Sequence, residues 1–436
     1  MKKTIMILAA IMLCGLVVPA FSAVENVKVG GDLVVKGIYR NNFDFTKGPN
    51  DGSSHLYTGA RVYVGAELSN NISAMVRFIN ERDWGISDPY NDVGQVTLDL
   101  AYLKVADILI PGLNLTVGRQ EIQMGNGLVV GSYVVGSQYR AGNYPHSYNP
   151  INAADLGLEK AFDAIKLDYA FTAAPVTVCA FKSKITENYA STTSDTDLYG
   201  LDVVLKAENL NLSVNPYYVN YTQAATRSNI LHTAGLSIGW NPMEALNIAA
   251  EYAKQFGEDK TLSSSPDYEG WALCLGVDYK FATNMNPVVS AMYADFSGKK
   301  STATDNKNWV PVFPSNIESR VGKIAYPALF SNGEGSYNIG TGSGVRVFKL
   351  GLGLQPTEKV GVALDWFNLT AKETDPGIDD SVGNEIDLSI NYAYSEDLSV
   401  GIELGYFING NYIEDTVGSN NDKSPWQAIA TMKIAF

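Results

Sequence analysis

Cysteine and histidine each occur only three times in this 436-residue chain, and both scarcities restrict its chemistry. Cys179 and Cys274 lie far apart in strand-like runs, with no second Cys or His at metal-ligand spacing. Neither a disulfide framework nor a metal centre is therefore encoded. His55, His146 and His232 sit outside any Gly-x-Ser-x-Gly setting and beside no compelling acid partner, so nucleophilic catalysis lacks its base and the chain does not read as an enzyme. Gly340-x-Gly342-x-Gly344 superficially matches a phosphate-binding loop, but it opens a strand where such loops open a helix. That is turn chemistry, and no cofactor motif is left. Charged residues make up only 18%, and beyond the N-terminus there is no run of the ~20 apolar residues that a membrane helix needs. Helical transporters are excluded. Basic residues are also in deficit, 32 against 46 acidic, for a formal net charge of −14, which disfavours nucleic acid as a partner.

The N-terminus carries Lys2 and Lys3, an apolar stretch over residues 5–18 and small residues over 19–23. This is the pattern of a cleaved secretory signal, so residues 1–23 are assigned to export and 24–436 to one domain. Leu13 stands where lipid attachment to Cys14 would need a small residue.

What the chain has in abundance is Gly (40) and Tyr (25), a composition suited to strands and turns. Segments of roughly 9 to 14 residues alternate apolar and polar side chains with period two, as strands do when their faces meet different solvents. Over residues 269–281, Trp271, Leu273, Leu275, Val277, Tyr279 and Phe281 share one face, and Cys274, Gly276, Asp278 and Lys280 the other. Over 385–394, Ile386, Leu388, Ile390, Tyr392 and Tyr394 oppose Glu385, Asp387, Ser389 and Asn391.

Marking every such segment predicts about eighteen strands, with sixteen as the lower alternative. Their centres fall near Val35, Val62, Val76, Leu100, Leu115, Leu167, Val178, Val203 and Leu212, then Leu236, Ile248, Leu275, Val289, Leu350, Leu364, Leu388, Ile402 and Ala430. Short links follow even-numbered strands and long polar links follow odd-numbered ones. Two of the long links, 121–160 and 297–342, exceed what compact soluble domains tolerate. The fold class is therefore all-β: a single closed antiparallel transmembrane barrel with short periplasmic turns and long external loops. Hydrocarbon offers no partner for a free strand edge, so the last strand must pair with the first.

Aromatic residues near strand ends form two expected girdles. Tyr39, Tyr252, Trp271, Trp366, Tyr406 and Trp426 lie toward the external side, and Phe171, Trp240, Phe281, Tyr394 and Phe436 toward the periplasm. The terminal strand ends on Phe436, which resembles the C-terminal signature read by the barrel-assembly machinery of Gram-negative outer membranes. Outer-membrane lipid and that machinery are the expected partners.

A barrel this wide leaves an aqueous channel. The strand phase turns Lys36, Arg40, Arg61, Arg77, Lys166, Lys206, Lys280, Lys349 and Lys433 inward. With them go Asp32, Glu67, Glu81, Asp99, Asp168, Asp202 and Glu208, and further along the chain Glu251, Asp278, Asp295, Asp365, Glu385, Asp387 and Glu403. Such rings of charge set ion preference. The long loop over 297–342 holds Trp309 and Phe313 in an Asn-Trp-Val-Pro-Val-Phe-Pro stretch, apolar anchors for a segment folded inward as a constriction. Tyr133, Tyr139, Arg140, Tyr144 and Tyr148 of the other long loop are expected to pack at the barrel mouth.

The stretch Val117-Gly118-Arg119-Gln120-Glu121, with Gly125, Gly127 and residues 128–131, resembles the signature of the alginate-export family of outer-membrane channels. Residues 162–167, Phe-Asp-Ala-Ile-Lys-Leu, resemble the segment opening that family's next strand. The resemblance implies a monomeric eighteen-stranded barrel that passes an anionic polysaccharide through a basic, loop-gated pore, and a pore-lining role for Arg119. Strand phase places Arg119 with lipid-facing Leu115 and Val117, so that role requires a bulge near Gly118. The expected function is a passive outer-membrane channel for small hydrophilic solutes or an oligo- or polysaccharide. A general trimeric porin and a non-transporting surface or adhesion barrel are the alternatives.

Overall fold

The computed structural model describes residues 26–43, 45, 52–84, 96–131, 156–158, 160–187, 195–224, 229–260, 266–301, 305–315, 318–330, 342–417 and 423–436. The export signal, His146 and the five aromatic and basic residues from Tyr133 to Tyr148 lie outside the described residues. The first nine strands are β1 (Val27–Asn41), β2 (Gly52–Ser69), β3 (Ile72–Asp83), β4 (Thr97–Val105), β5 (Leu113–Gln120), β6 (Phe162–Ala170), β7 (Val176–Thr186), β8 (Thr196–Ala207) and β9 (Leu212–Gln223). The second nine are β10 (Asn229–Met243), β11 (Leu246–Asp259), β12 (Trp271–Lys280), β13 (Val288–Phe296), β14 (Val345–Thr357), β15 (Val360–Ala371), β16 (Ser381–Ala393), β17 (Leu398–Asn409) and β18 (Trp426–Ala435).

Each strand runs antiparallel to its chain neighbours, and β18 pairs with β1 from Asp32↔Ala435 to Asn41↔Trp426, closing one 18-stranded sheet. Every predicted centre falls inside a strand. The ninth is displaced, because Leu212 is the first residue of β9. Asn215, Pro216 and the adjacent tyrosines interrupt the alternation there.

Period two sorts the side chains by solvent. Val62, Leu167, Leu201, Leu275, Leu350, Leu364 and Ile402, spread around the ring, are each 42–47% exposed on the outer face. A continuous apolar belt of this kind is stable only against lipid. Rings edge the belt at both ends. Tyr39–Trp426, Tyr252–Trp271 and Phe348–Trp366 lie 4.7, 6.4 and 6.1 Å apart at the long-loop end. Tyr169–Phe171, Tyr279–Phe281 and Tyr392–Tyr394 lie 4.5, 4.8 and 6.4 Å apart at the short-turn end.

Short turns such as Asn70–Asn71, Glu244–Ala245 and Glu358–Lys359 gather at one end. The start of β1 and the end of β18 meet there, where Gly31 and Phe436 exchange backbone hydrogen bonds of 2.9 and 3.0 Å. In an outer-membrane barrel this end faces the periplasm. No helix among the described residues is long and apolar enough to cross a membrane.

The apolar core lies inside the ring. Eighteen strands enclose more space than wall side chains fill. Ile122, Met124, Leu128, Val129, Val130, Trp309, Val321, Ile324 and Leu329, all from the two longest loops, pack there. They meet wall residues Phe162, Phe181, Tyr217, Val219, Val347, Phe367 and Phe407.

Candidate functional site

Ladder registers fix which charges face inward. On β1 to β3, Asp32 pairs with Arg61, and Arg77 with Tyr63, in phase with Lys36, Arg40, Glu67 and Glu81. Lys166 and Asp168 of β6 lie opposite Phe181 and Cys179, and Asp202 of β8 lies opposite Cys179. Lys206 faces Ser213, Asp278 and Lys280 face Ser290 and Val288, and Lys349 lies opposite Phe367, in phase with Asp365. Glu385, Asp387 and Glu403 lie on the same face of β16 and β17, and Lys433 on that of β18. Asp99 occupies an irregularity in the β3–β4 ladder and turns inward to Arg77.

Three expected inward positions need correction. Glu208 is not on a strand, because it begins a short 3-10 turn, Glu208–Leu210. Asp295 pairs with Leu273 and Arg346, both outward, and takes Lys372 Nζ at 2.6 Å. Arg119 also points outward. The β4–β5 and β5–β6 ladders run unbroken through Gly118, so no bulge swings Arg119 inward; it forms a two-pronged pair with Asp163 at 2.9 and 2.7 Å. Gly118, at φ +121°, fits where a Cβ would collide with the carbonyl oxygen of Ala101.

Inward charges on β1 to β6 are largely paired. Arg61 meets Asp32 at 2.8 Å, Arg77 bonds to Asp99 and reaches Glu121 at 2.7 Å, and Lys166 meets Asp168 at 3.0 Å. Across the ring Lys349 meets Asp365 at 3.1 Å. Each pair places opposite charges side by side on a water-facing wall.

Other carboxylates of the expected wall are covered and hold inserted backbone instead. After β5 the chain turns inward at Gly125 and Gly127, φ +53° and +79°. Asn215 Oδ1 accepts from the Gly125 amide at 3.0 Å, and Glu251 accepts from the Asn126 amide at 3.0 Å and the Tyr217 hydroxyl at 2.7 Å. A Cβ at Gly125 would stand 2.6 Å from Glu251 Oε1, so glycine permits this approach. From the same loop, the Leu158 amide donates to Glu81 at 2.7 Å, and Tyr57 donates to Glu81 at 2.5 Å.

The second loop enters beside the first. Gln255 brackets Val310, accepting from its amide at 2.9 Å and donating to its carbonyl at 2.7 Å. Val130 and Phe313 form a parallel bridge, and Phe313 sits 5.8 and 5.9 Å from the rings of Phe162 and Tyr221. Trp309 is buried in the same cluster. Arg320 ties the loops together, donating to the carbonyls of Ser315 at 2.8 Å and of Asn126.

Beyond it, Glu385 accepts from the amides of Ile324 and Ala325 at 2.7 and 2.9 Å, and Asp387 from that of Lys323 at 3.2 Å. Lys323 Nζ then reaches Ser389 at 2.8 Å and Glu403 at 2.9 Å. Glu385 and Asp387 are thus 0% and 2% exposed and line no open water. Sequence reasoning missed Asn215, Tyr217, Gln255, Arg320 and Lys323, whose roles depend on loop placement. Beside the inserted 121–131 segment, a cavity of about 230 Å³ remains, lined by Glu121, Ile122, Gln123, Gly131, Lys160 and Ser315.

A closed sheet with an apolar outer belt, a charged interior and loops folded into it defines an outer-membrane β-barrel of the channel-forming type. The chain belongs to the alginate-export family, whose model matches residues 25–427. No curated protein matches it. Among solved structures it resembles Pseudomonas aeruginosa OpdO, at 10% identity and TM-score 0.60 over 95% of this chain and 99% of that one. It also resembles OccK9 (OpdG) of the same organism, at 11% and 0.59 over 95% and 99%. A third is OpdK of that organism, solved with vanillate, at 9% and 0.57 over 94% and 99%. At such identities the likeness is one of fold.

Proposed function

We propose that this protein is a passive channel for small hydrophilic solutes or an oligosaccharide, with its pathway running past the charge pairs of β1 to β6 and beside the inserted loops. The observation that carries this reading is the division of the interior. Apolar loop segments pack against the wall from β6 round to β17, while Arg61, Arg77, Glu121, Gln123 and Lys160 border water toward β2 and β3. Paired charges offer a solute successive hydrogen-bonding partners without trapping it, as conduction requires.

Arg61 and Arg77, which border the water, are already neutralised by Asp32 and by Asp99 and Glu121. A bare polyanion would find these cations already taken, so a neutral or cationic solute fits better than alginate itself. Reversal potentials of single channels in planar bilayers under a salt gradient test this. Cation preference is expected, strengthened by Arg61→Gln and unaltered by Arg119→Gln; strong anion selectivity would overturn it. The extent of the apolar plug favours one competing reading, a non-transporting barrel, and a lack of any conductance from folded protein would support that reading.

A further inference from the structure

Among the described strand residues, charged side chains that face outward occur only next to the long loops. The basic ones are Arg82, Arg119, Lys182, Lys184, Lys254 and Arg346, each in the external part of its strand. The same outer face carries none through the apolar belt or at the short-turn end. Leaflets of identical composition would give no reason for this asymmetry. An outer leaflet bearing concentrated anionic groups would, at a place where cations outnumber acids; elsewhere Arg119 is taken by Asp163, and Lys182 and Lys184 by Asp197.

The basic residues converge most closely around Trp271 of the external girdle. Lys254 pairs with Trp271 across the β11–β12 ladder and donates to the carbonyl of Glu269. Lys372 Nζ lies 3.7 Å from the Trp271 ring centroid and 2.6 Å from Asp295. Arg346 lies 3.6 Å from the same Asp295 with 49% of its side chain exposed. Two cations thus share the Asp295 carboxylate, and Lys254 stands beside Trp271 on the neighbouring strand. Immediately below lie Phe348, Leu350 and Trp366, exposed and apolar or packed ring on ring.

We propose that Lys254, Arg346 and Lys372 form a binding site for a phosphate group of an outer-leaflet glycolipid, whose acyl chains lie on Phe348 and Leu350. A guanidinium and ammonium groups at one level supply the charge-assisted donors that a phosphate monoester accepts. The aromatic girdle fixes that level at the headgroups, and Asp295 orients Lys372 and Arg346 without cancelling the patch. The site is independent of what the pore carries.

Native mass spectrometry of the detergent-purified full barrel tests it, with bisphosphorylated lipid A and its dephosphorylated form as probes. The wild type is expected to retain the phosphorylated lipid preferentially. Lys254→Gln with Arg346→Gln should weaken retention about fivefold for each charge removed, while Arg82→Gln, on a distant strand, should not. Equal retention of the two lipids by the wild type would overturn the proposal, as would equal losses from the Arg82 and Lys254/Arg346 variants. The dephosphorylated-lipid arm uses the native protein, so equal retention there overturns the proposal even if the double variant fails to fold.

Discussion

Glu385 illustrates how one residue changes meaning between sequence and structure. In the sequence it is an acid on the polar face of a strand, indistinguishable from Asp278 or Glu403. In the structure it has no exposed surface, and its two oxygens take the amides of Ile324 and Ala325. A buried amide without an acceptor loses its desolvation energy outright, on the order of 1–3 kcal/mol each. Gly322, at φ +108°, packs so closely that a Cβ there would strike the Glu385 carboxylate. Glu385→Ala should therefore release the 318–330 segment, whereas Glu385→Gln keeps one acceptor and should release it less. Limited proteolysis of folded protein checks this: cleavage near Lys323 is expected to rank Ala above Gln above wild type, and an unchanged pattern would deny Glu385 its anchoring role.

Strands and inserted segments differed in how far the sequence revealed them. All eighteen strands were legible because lipid on one side and water on the other impose alternation along a single line of chain, with no knowledge of distant residues required. The outward direction of Arg119 was equally legible from its phase with Leu115 and Val117; the expectation of a pore role came from family likeness. That Trp309 and Phe313 need apolar cover was legible, since an exposed loop would not need them, and both lie in the interior cluster. The anchors of 297–342 were not, because Gln255, Arg320 and Asp387 carry no local signal of the backbone groups they will hold.

The same loop packing gives the two wall cysteines different surroundings. Cys274 lies against the inserted cluster, whereas Cys179 faces the interior beside Asp168 and Asp202. Arg320→Met removes the donor that ties both loops together, and the rate of Cys274 modification by a water-soluble thiol reagent should rise severalfold relative to Cys179. Mass spectrometry of the modified peptides reads both sites in one sample, and an unchanged ratio would mean that the loops hold without Arg320.

The whole molecule comprises two layers with separate bonding. The wall closes through backbone ladders from β1 round to β18, and the inserted segments contribute nothing to those ladders. Conversely, the described plug segments hang on the wall by side-chain hydrogen bonds, accepted and donated, and by apolar contact. β13 and β14 remain paired up to Phe296↔Val345, so a linker of a few Gly and Ser residues can replace 299–343 without straining the hairpin. Wall residues such as Val347, Phe367 and Phe407 would then face water, an unfavourable exposure of about 25 cal/mol per Å². The closed ladders and the lipid-facing belt stay intact. The shortened protein should still insert and show heat-modifiable electrophoretic migration, with single-channel conductance several times that of the wild type. Failure to form a barrel would make the plug part of the folding core. An unchanged conductance would move the narrowest point of the pathway away from these loops, toward the paired charges of β1 to β6.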